Sequence, residues 1–297
     1  MPLPDFFVVG AGRSGTTSFC AYLAQHPEIF FSPVKEPHFY YLRDLDRTPQ
    51  GPGAQAWLST CTKSREEYLA LFEGSGAARA AGEGSVTYLS APGVPAAIRA
   101  DVPDARLIVL LRAPVARAFA AFLGHRLNGR EPCSDFADAL TQEPTRAAAG
   151  WPFGGYFEDG LYGKHLRSYL RHFDRSQICV LFFENFVQDP AATVREAFAH
   201  LGVSPGFEPD LSVVLNRTGV LRNPVARFLW ARSFSVRARL RPHLPETLRH
   251  AAFRIVSTTG FEKPRIPEDT RRRLALAYRE DIASLEEILG RDLQHWL

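Results

Sequence analysis

Residues 6 to 18, Phe6-Phe7-Val8-Val9-Gly10-Ala11-Gly12-Arg13-Ser14-Gly15-Thr16-Thr17-Ser18, leave few choices for the fold around them. Four consecutive apolar residues read as a parallel strand buried on both faces, and the glycines as a tight turn. The amphipathic run Phe19 to Gln25 then reads as a helix entered through a row of hydroxyl side chains. Strand, glycine-rich turn and helix in that order predict an α/β fold, a mostly parallel sheet flanked by helices with a P-loop-like nucleotide-binding architecture. The turn is suited to anions. Glycines let backbone N–H groups approach phosphate oxygens, a helix N-terminus presents more of them, and Arg13 adds a full charge.

The side chains of the turn narrow the choice of anion. Gly10 to Thr17 has the spacing of an NTP-binding loop, but Thr16 stands where that loop needs a lysine for the β- and γ-phosphates, which argues against an ordinary ATPase or kinase. Gly10, Gly12 and Gly15 also spell a dinucleotide fingerprint, yet the apolar run Ile29-Phe30-Phe31 ends in Ser32 rather than in a ribose-binding carboxylate. A phosphosulfate carries less charge than a triphosphate and fits amides, hydroxyls and Arg13 without a metal ion.

Bulk composition offers no competing clue. Lys+Arg 35 against Asp+Glu 32 leaves a net charge of +3, which argues against a nucleic-acid or membrane partner engaged by overall charge, so an anion site must be local. A hydrophobic content of 45% supports a substantial core, and a single domain over residues 1–297 is the expectation. Cys20, Cys61, Cys133 and Cys179 have no C-x-x-C spacing and are expected as buried thiols. No stretch reaches the roughly 18 consecutive apolar residues of a membrane span, and Met-Pro-Leu-Pro-Asp leads straight into the first strand with no basic, apolar leader. These features make a cytoplasmic enzyme the expectation.

Ser32 to Tyr41 holds Lys35, Glu36 and His38 within four positions on a proline-fixed loop after the strand Ile29–Phe31, and open α/β sheets gather chemistry on such loops. Carboxylate, ammonium and imidazole together make an acid/base cluster. Transfer of a sulfuryl group to a hydroxyl or amine releases the acceptor's proton. Glu36 can take that proton, while Lys35 or His38 orients the carboxylate or neutralises the leaving phosphate. Leu107 to Leu111 is the most strand-like run in the chain, and it ends in Arg112 where an NTPase strand ends in a Mg²⁺-binding Asp. A cation there suits direct reading of a second phosphate.

Elsewhere, residues 43–64 read as a long excursion over the acceptor side, and Ser64-Arg65-Glu66-Glu67 as a capping box opening a helix to about Phe72. Helical patterns cover 160–173, 191–201 and 268–289, a strand covers Ile178 to Phe183, and a short helical pattern near Phe136 to Leu140 lies in a segment, 126–156, with no assignable role. The arginine-rich region 222–254, interleaved with apolar residues, reads as a solvated helical face.

Gly10 to Thr17 resembles the 5′-phosphosulfate loop of sulfotransferases that use 3′-phosphoadenosine 5′-phosphosulfate (PAPS), with Arg13 where that family usually has Lys. Glu36-Pro37-His38-Phe39-Tyr40 resembles the Glu-x-His-Phe-Phe stretch of the heparan sulfate glucosaminyl 3-O-sulfotransferases, in which the Glu is the base, although Tyr41 replaces the Asp that follows there. Glu83 to Tyr88 is similar to their Glu-Lys-Ser/Thr-Pro-x-Tyr segment, with Gly84 in place of the Lys and Val86 in place of the Pro. Arg112-Ala113-Pro114 resembles the family's 3′-phosphate motif, but Ala120 replaces its Ser, leaving Arg117 or His125 to supply the missing hydrogen bond. Lys263-Pro264-Arg265 matches a Lys-Gly-Arg loop that closes over the nucleotide.

The resemblance, in family order over 6–41, 82–126, 160–201 and 260–297, implies a PAPS-dependent sulfotransferase without metal, acting on a hydroxyl, or an amine, of a carbohydrate, glycolipid or secondary metabolite. It implies that Arg13, Ser14, Gly15, Thr16, Thr17 and Ser18 bind the 5′-phosphosulfate, Arg112 the 3′-phosphate, and Lys263 and Arg265 the rest of the nucleotide. Glu36 would be the base, supported by His38, with Lys35 replacing the absent Lys at Gly84. The competing readings are a small-molecule kinase on the same architecture and a polyanion-binding module built on 222–254.

Overall fold

The computed structural model describes residues 3–212 and 264–297, together with the backbone of 220–221 and 261–262. Five parallel strands form the central sheet: β1 (Phe6–Gly10), β2 (Ile29–Phe31), β3 (Ala80–Gly84), β4 (Arg106–Leu111) and β5 (Ile178–Phe182). Their order across the sheet is β2-β3-β1-β4-β5. The chain leaves β1 toward one edge and leaves β4 toward the other, so the crevice at the carboxyl ends of β1 and β4 is the topological switch point, where open α/β sheets bind ligands. Val220–Leu221 and Phe261–Glu262 pair as a separate antiparallel ladder.

The continuous apolar runs follow from burial on both faces, with a period of two sorting each strand. Phe7 and Val9 of β1 join Leu107, Val109 and Leu111 of β4 in one core, while Phe6 and Val8 join Ile108 and Leu110 in the other. Helices α1 (Thr16–Leu23) and Pro190–Leu201 cover the second core through Phe19, Leu23, Val194, Phe198 and Leu201. The first core is covered by helices Pro114–Leu127, Tyr162–Leu170 and Glu268–Leu289, through Ala118, Phe122, Leu166, Tyr278 and Leu285.

The observed strands β1, β2, β4 and β5, the capping box at Ser64 and Glu67, and the final helix lie where the sequence patterns predict. The first helix starts at Thr16, so its first turn is the row of hydroxyl side chains, and Gly15 at φ +85° ends the turn ahead of it. Other elements differ: the helix at Phe136 runs on to Ala148, well past Leu140. β3, Ala-Ala-Gly-Glu-Gly, has poor strand propensity and was not foreseen; its small residues answer a close approach, since a Cβ on Gly82 would collide with the backbone and ring of Phe6. The four cysteines are free thiols, Cys61 and Cys179 buried and Cys20 and Cys133 partly so. Among the described residues, no helix is long and apolar enough to cross a membrane.

Candidate active site

The turn after β1 is built to receive something polar. Ser14 is wholly inaccessible, and its Oγ has no hydrogen-bond partner among the described residues, an orphan that a phosphosulfate oxygen would satisfy. Gly15 carries the chain into α1 without a side-chain cap, so the first-turn N–H groups, which have no carbonyl one turn back, point toward the loop. Thr16 and Ser18 are buried and Thr17 is half-buried. Arg13 is held at φ +70°, with its carbonyl accepting from Arg112 Nη1 at 3.0 Å.

From β2, on the other side of β3, the next loop brings the acid/base cluster to the same place. Lys35 Nζ donates to Thr17 Oγ1 at 2.9 Å and lies 3.4 Å from Glu36 Oε1. Glu36 Oε2 is 3.5 Å from His38 Nε2. Burial opposes ionisation of Glu36, but Lys35, His38 and Arg13 outweigh it and hold the carboxyl below the usual range, so it is ionised at neutral pH. Burial, only partly countered by Glu36, pushes His38 down to about 4. The imidazole is therefore neutral at pH 7, and its approach to Glu36 is a dipolar contact rather than an ion pair.

The support of this loop comes largely from residues that sequence reasoning left without a role. His38 Nδ1 lies 2.9 Å from Thr87 Oγ1, the His38 N–H donates to Ser85 Oγ at 3.1 Å, and Trp57 packs edge-on to the imidazole with centroids 5.1 Å apart. Ser85 and Thr87 belong to the 83–88 segment whose family resemblance was visible, so the signal was present, but their target was not. Gly84 could not have carried the family's Lys without rearrangement: a Cβ there would sit 2.8 Å from Cys20 Sγ. Trp57 lies on the short helix Ala54–Leu58, which places the 43–64 excursion against the site.

Arg13 turns away from the loop that carries it. Its guanidinium occupies the notch over Gly124, where any Cβ would coincide with it. There it feels the charges of Glu36 and Arg117, and burial lowers its pKa. Arg130 approaches from the segment after the Pro114–Leu127 helix, its guanidinium 4.1 Å from the partly exposed Phe153 ring. Burial and Arg13 lower it to about 10. Segment 126–156, which carried no role in the sequence, thus contributes a cation and an aromatic ring beside the base loop. It is anchored by Arg146, which donates to Glu131 at 2.5 and 3.0 Å, and by the Tyr156 hydroxyl on the same carboxylate at 2.7 Å.

Arg112 follows β4 as expected, its guanidinium stacked 4.7 Å from the Phe183 ring and its carbonyl accepting from Tyr162 at 2.9 Å. Arg117, one of the two candidates to replace the missing Ser, has partners within the chain. Arg117 is buried, donates to the carbonyls of Gly155 and Tyr156, and lies 3.8 Å from Asp159, so it is a clamp on the chain. His125, made neutral by burial and by Arg13, Arg130 and Arg117, has its Nδ1 buried with no partner among the described residues. Arg265 is exposed just ahead of the last helix. Lys263 and the region 222–254 lie outside the described residues.

A parallel sheet of this order, with an anion turn after β1 and a cation after β4, forms the frame of a P-loop-like nucleotide-binding fold. Residues 4–209 match the Sulfotransferase family. The crystal structure of a sulfotransferase from Alicyclobacillus acidocaldarius superposes with a TM-score of 0.79 and 32% identity, covering 100% of this chain and 99% of that one. Heparan sulfate glucosamine 3-O-sulfotransferase 3A1 of Mus musculus is 29% identical over 201 residues, 68% of this chain and 46% of that protein. Carbohydrate sulfotransferase 15 of Homo sapiens is 26% identical over 251 residues, 68% of this chain and 44% of that protein. The chain belongs to the sulfotransferase family. It spans less than half the length of these two curated relatives.

Proposed function

We propose that this chain transfers a sulfuryl group from PAPS to an acceptor hydroxyl, with Glu36 as general base. One observation carries the reading: a single ammonium, Lys35, touches both the anion turn at Thr17 and the carboxylate at Glu36, so donor cradle and base form one site. Ser14, Gly15, Thr16, Thr17 and Ser18 hold the 5′-phosphosulfate, and Arg112 reads the 3′-phosphate. In the reaction the acceptor oxygen forms a bond to sulfur as the bond from sulfur to the 5′-phosphate oxygen breaks. The acceptor proton passes to Glu36, and 3′-phosphoadenosine 5′-phosphate (PAP) leaves. Lys35 stabilises charge developing across the transferring group, and Arg13, from the notch over Gly124, helps keep Glu36 ionised. Neutral His38, tied to Thr87, orients Glu36 without competing for the proton.

A carbohydrate acceptor is favoured by the names of the relatives and by the resemblance of the Glu36–Tyr40 stretch to carbohydrate enzymes. Lys263 and Arg265 are proposed to cover the nucleotide. Calorimetric titration with PAP and with ATP–Mg²⁺, on wild type and Glu36→Gln, tests the reading. Tight PAP binding by both proteins, with PAPS turnover lost in the variant by about 10²- to 10⁴-fold, is expected. Binding of ATP–Mg²⁺ in preference to PAP would establish the kinase reading instead, and equal loss of PAP binding and turnover would remove Glu36 from the role of base.

A further inference from the structure

Glu83 is fully buried in β3, beside Phe7 of β1. Its carboxylate accepts three hydroxyls, Ser85 Oγ and Tyr88 Oη at 2.7 Å each and Tyr68 Oη at 3.1 Å. The first two have a second duty: Ser85 Oγ accepts from the His38 N–H at 3.1 Å and Tyr88 Oη from the Tyr40 N–H at 3.2 Å. A hydroxyl has one proton. With that proton committed to the carboxylate, the lone pairs are left to face the amides. Those amides lie where the chain passes through φ +53° at Glu36 and φ +56° at His38, conformations that non-glycine residues hold only when their surroundings impose them.

Resting on the assignment of Glu36 as base, we propose that Glu83 is a positioning residue of the reaction. Its ionised carboxylate orients the hydroxyls of Ser85 and Tyr88, these hold the amides of His38 and Tyr40, and the loop so held keeps Glu36 against Lys35. Protonated Glu83 must itself donate. With the proton on Oε2, where Ser85 is the hydroxyl bonded among the described residues, Ser85 becomes the acceptor and its own proton turns toward the His38 N–H, so that anchor of the loop is lost.

The groups facing Glu83 are Tyr68 and Tyr88, Tyr40 from the helix Phe39–Arg43, Tyr169 from Tyr162–Leu170, Cys20 from α1, and the carboxylate of Glu36. None of these is a cation. Burial raises Glu83 to about 7 against the three hydroxyls, with a smaller push from Glu36, so the switch falls in the working pH range.

The test follows the backbone amide and ring nitrogens of His38 by NMR between pH 5.5 and 8.5 in the wild-type chain, Glu83→Gln, Ser85→Ala and Tyr88→Phe. PAP affinity is measured in parallel, together with PAP release from PAPS in the presence of a glucosamine oligosaccharide. Wild type is expected to show an inflection near pH 7 in the His38 amide and in kcat, and Glu83→Gln to lose both. Turnover should fall at least about tenfold in the variants at unchanged PAP affinity. Ser85→Ala and Tyr88→Phe keep the carboxylate and the core volume, so they carry the test if Glu83→Gln does not fold. An inflection that survives in Glu83→Gln, or turnover and PAP affinity falling together in Ser85→Ala and Tyr88→Phe, overturns the proposal. Wild type that shows the inflection yet binds no PAP overturns the sulfotransferase reading and leaves the Glu83–His38 linkage standing.

Discussion

Lys35 donates to Thr17 at 2.9 Å, so a side chain from the loop after β2 grips the first turn of the helix after β1, across the intervening strand β3. The same ammonium is one of the groups that keep Glu36 ionised. Removing it in Lys35→Ala is expected to lower kcat by about 10²- to 10³-fold, the scale of losing one transition-state charge donor. PAP affinity should change far less, and the acid limb of the pH–rate profile should move upward as Glu36 loses its neighbour. A kcat loss with the acid limb unmoved would mean that Lys35 acts on the donor alone.

Arg112 is predicted to distinguish donors. A charged hydrogen bond in a partly buried site contributes about 1.5–3 kcal/mol, so Arg112→Ala should weaken PAP roughly 10- to 100-fold. Adenosine 5′-phosphosulfate, which has no 3′-phosphate, should lose little. Parallel losses for both ligands in calorimetry would show that Arg112 serves the loop, through its bond to the Arg13 carbonyl, and not the 3′-phosphate.

Gly124 is the seat of the Arg13 guanidinium, and a methyl group there would displace it. Gly124→Ala gains helix propensity of about 1 kcal/mol in an ordinary helix interior, so a simple propensity argument predicts a more stable protein. The expected result is a protein whose melting temperature changes by only a few degrees but whose turnover falls at least tenfold, because Arg13 leaves the place from which its charge acts on Glu36. Turnover unchanged from wild type would sink the role given to Arg13.

Glu83 also makes a prediction about stability. Its folded value of about 7 lies above the ordinary 4.5, so between these values the folded protein keeps a proton that the unfolded chain has lost. Stability therefore falls as pH rises through that window, by on the order of 3 kcal/mol for the whole shift. His38 acts in the opposite sense: lowered from 6.5 to about 4, it takes away stability as pH falls through that range, because the unfolded chain binds the proton first. Calorimetric melting of Glu83→Gln should show a smaller loss between pH 5.5 and 8.0 than wild type. An identical difference in the two proteins would rule out a titration of Glu83 in this range.

Much of the frame was legible because a sheet buried on both faces writes itself as unbroken apolar runs, as in Phe6–Val9, Leu107–Leu111 and Ile178–Phe182. The anion turn and the Lys35–Glu36–His38 cluster were legible because each is local in sequence. β3 was not, since its composition serves the ring of Phe6 rather than its own propensity. Nor were the notch at Gly124, the cation at Arg130 or the hydroxyls at Ser85 and Tyr88, whose roles depend on residues far along the chain that only the fold brings beside them. Arg117 shows the converse: a buried helix arginine near the site donates to the carbonyls of Gly155 and Tyr156, which no spacing announces.

The Glu131–Arg146–Tyr156 cluster holds segment 126–156 through side chains buried beneath it, whereas Arg130 and Phe153, stacked on each other, lie outside that cluster. Attachment and presentation are thus separately encoded. A library confined to residues near 130 and 153 would leave that buried anchor intact while varying the charge beside Arg13 and the aromatic contact that Trp57 relays to His38.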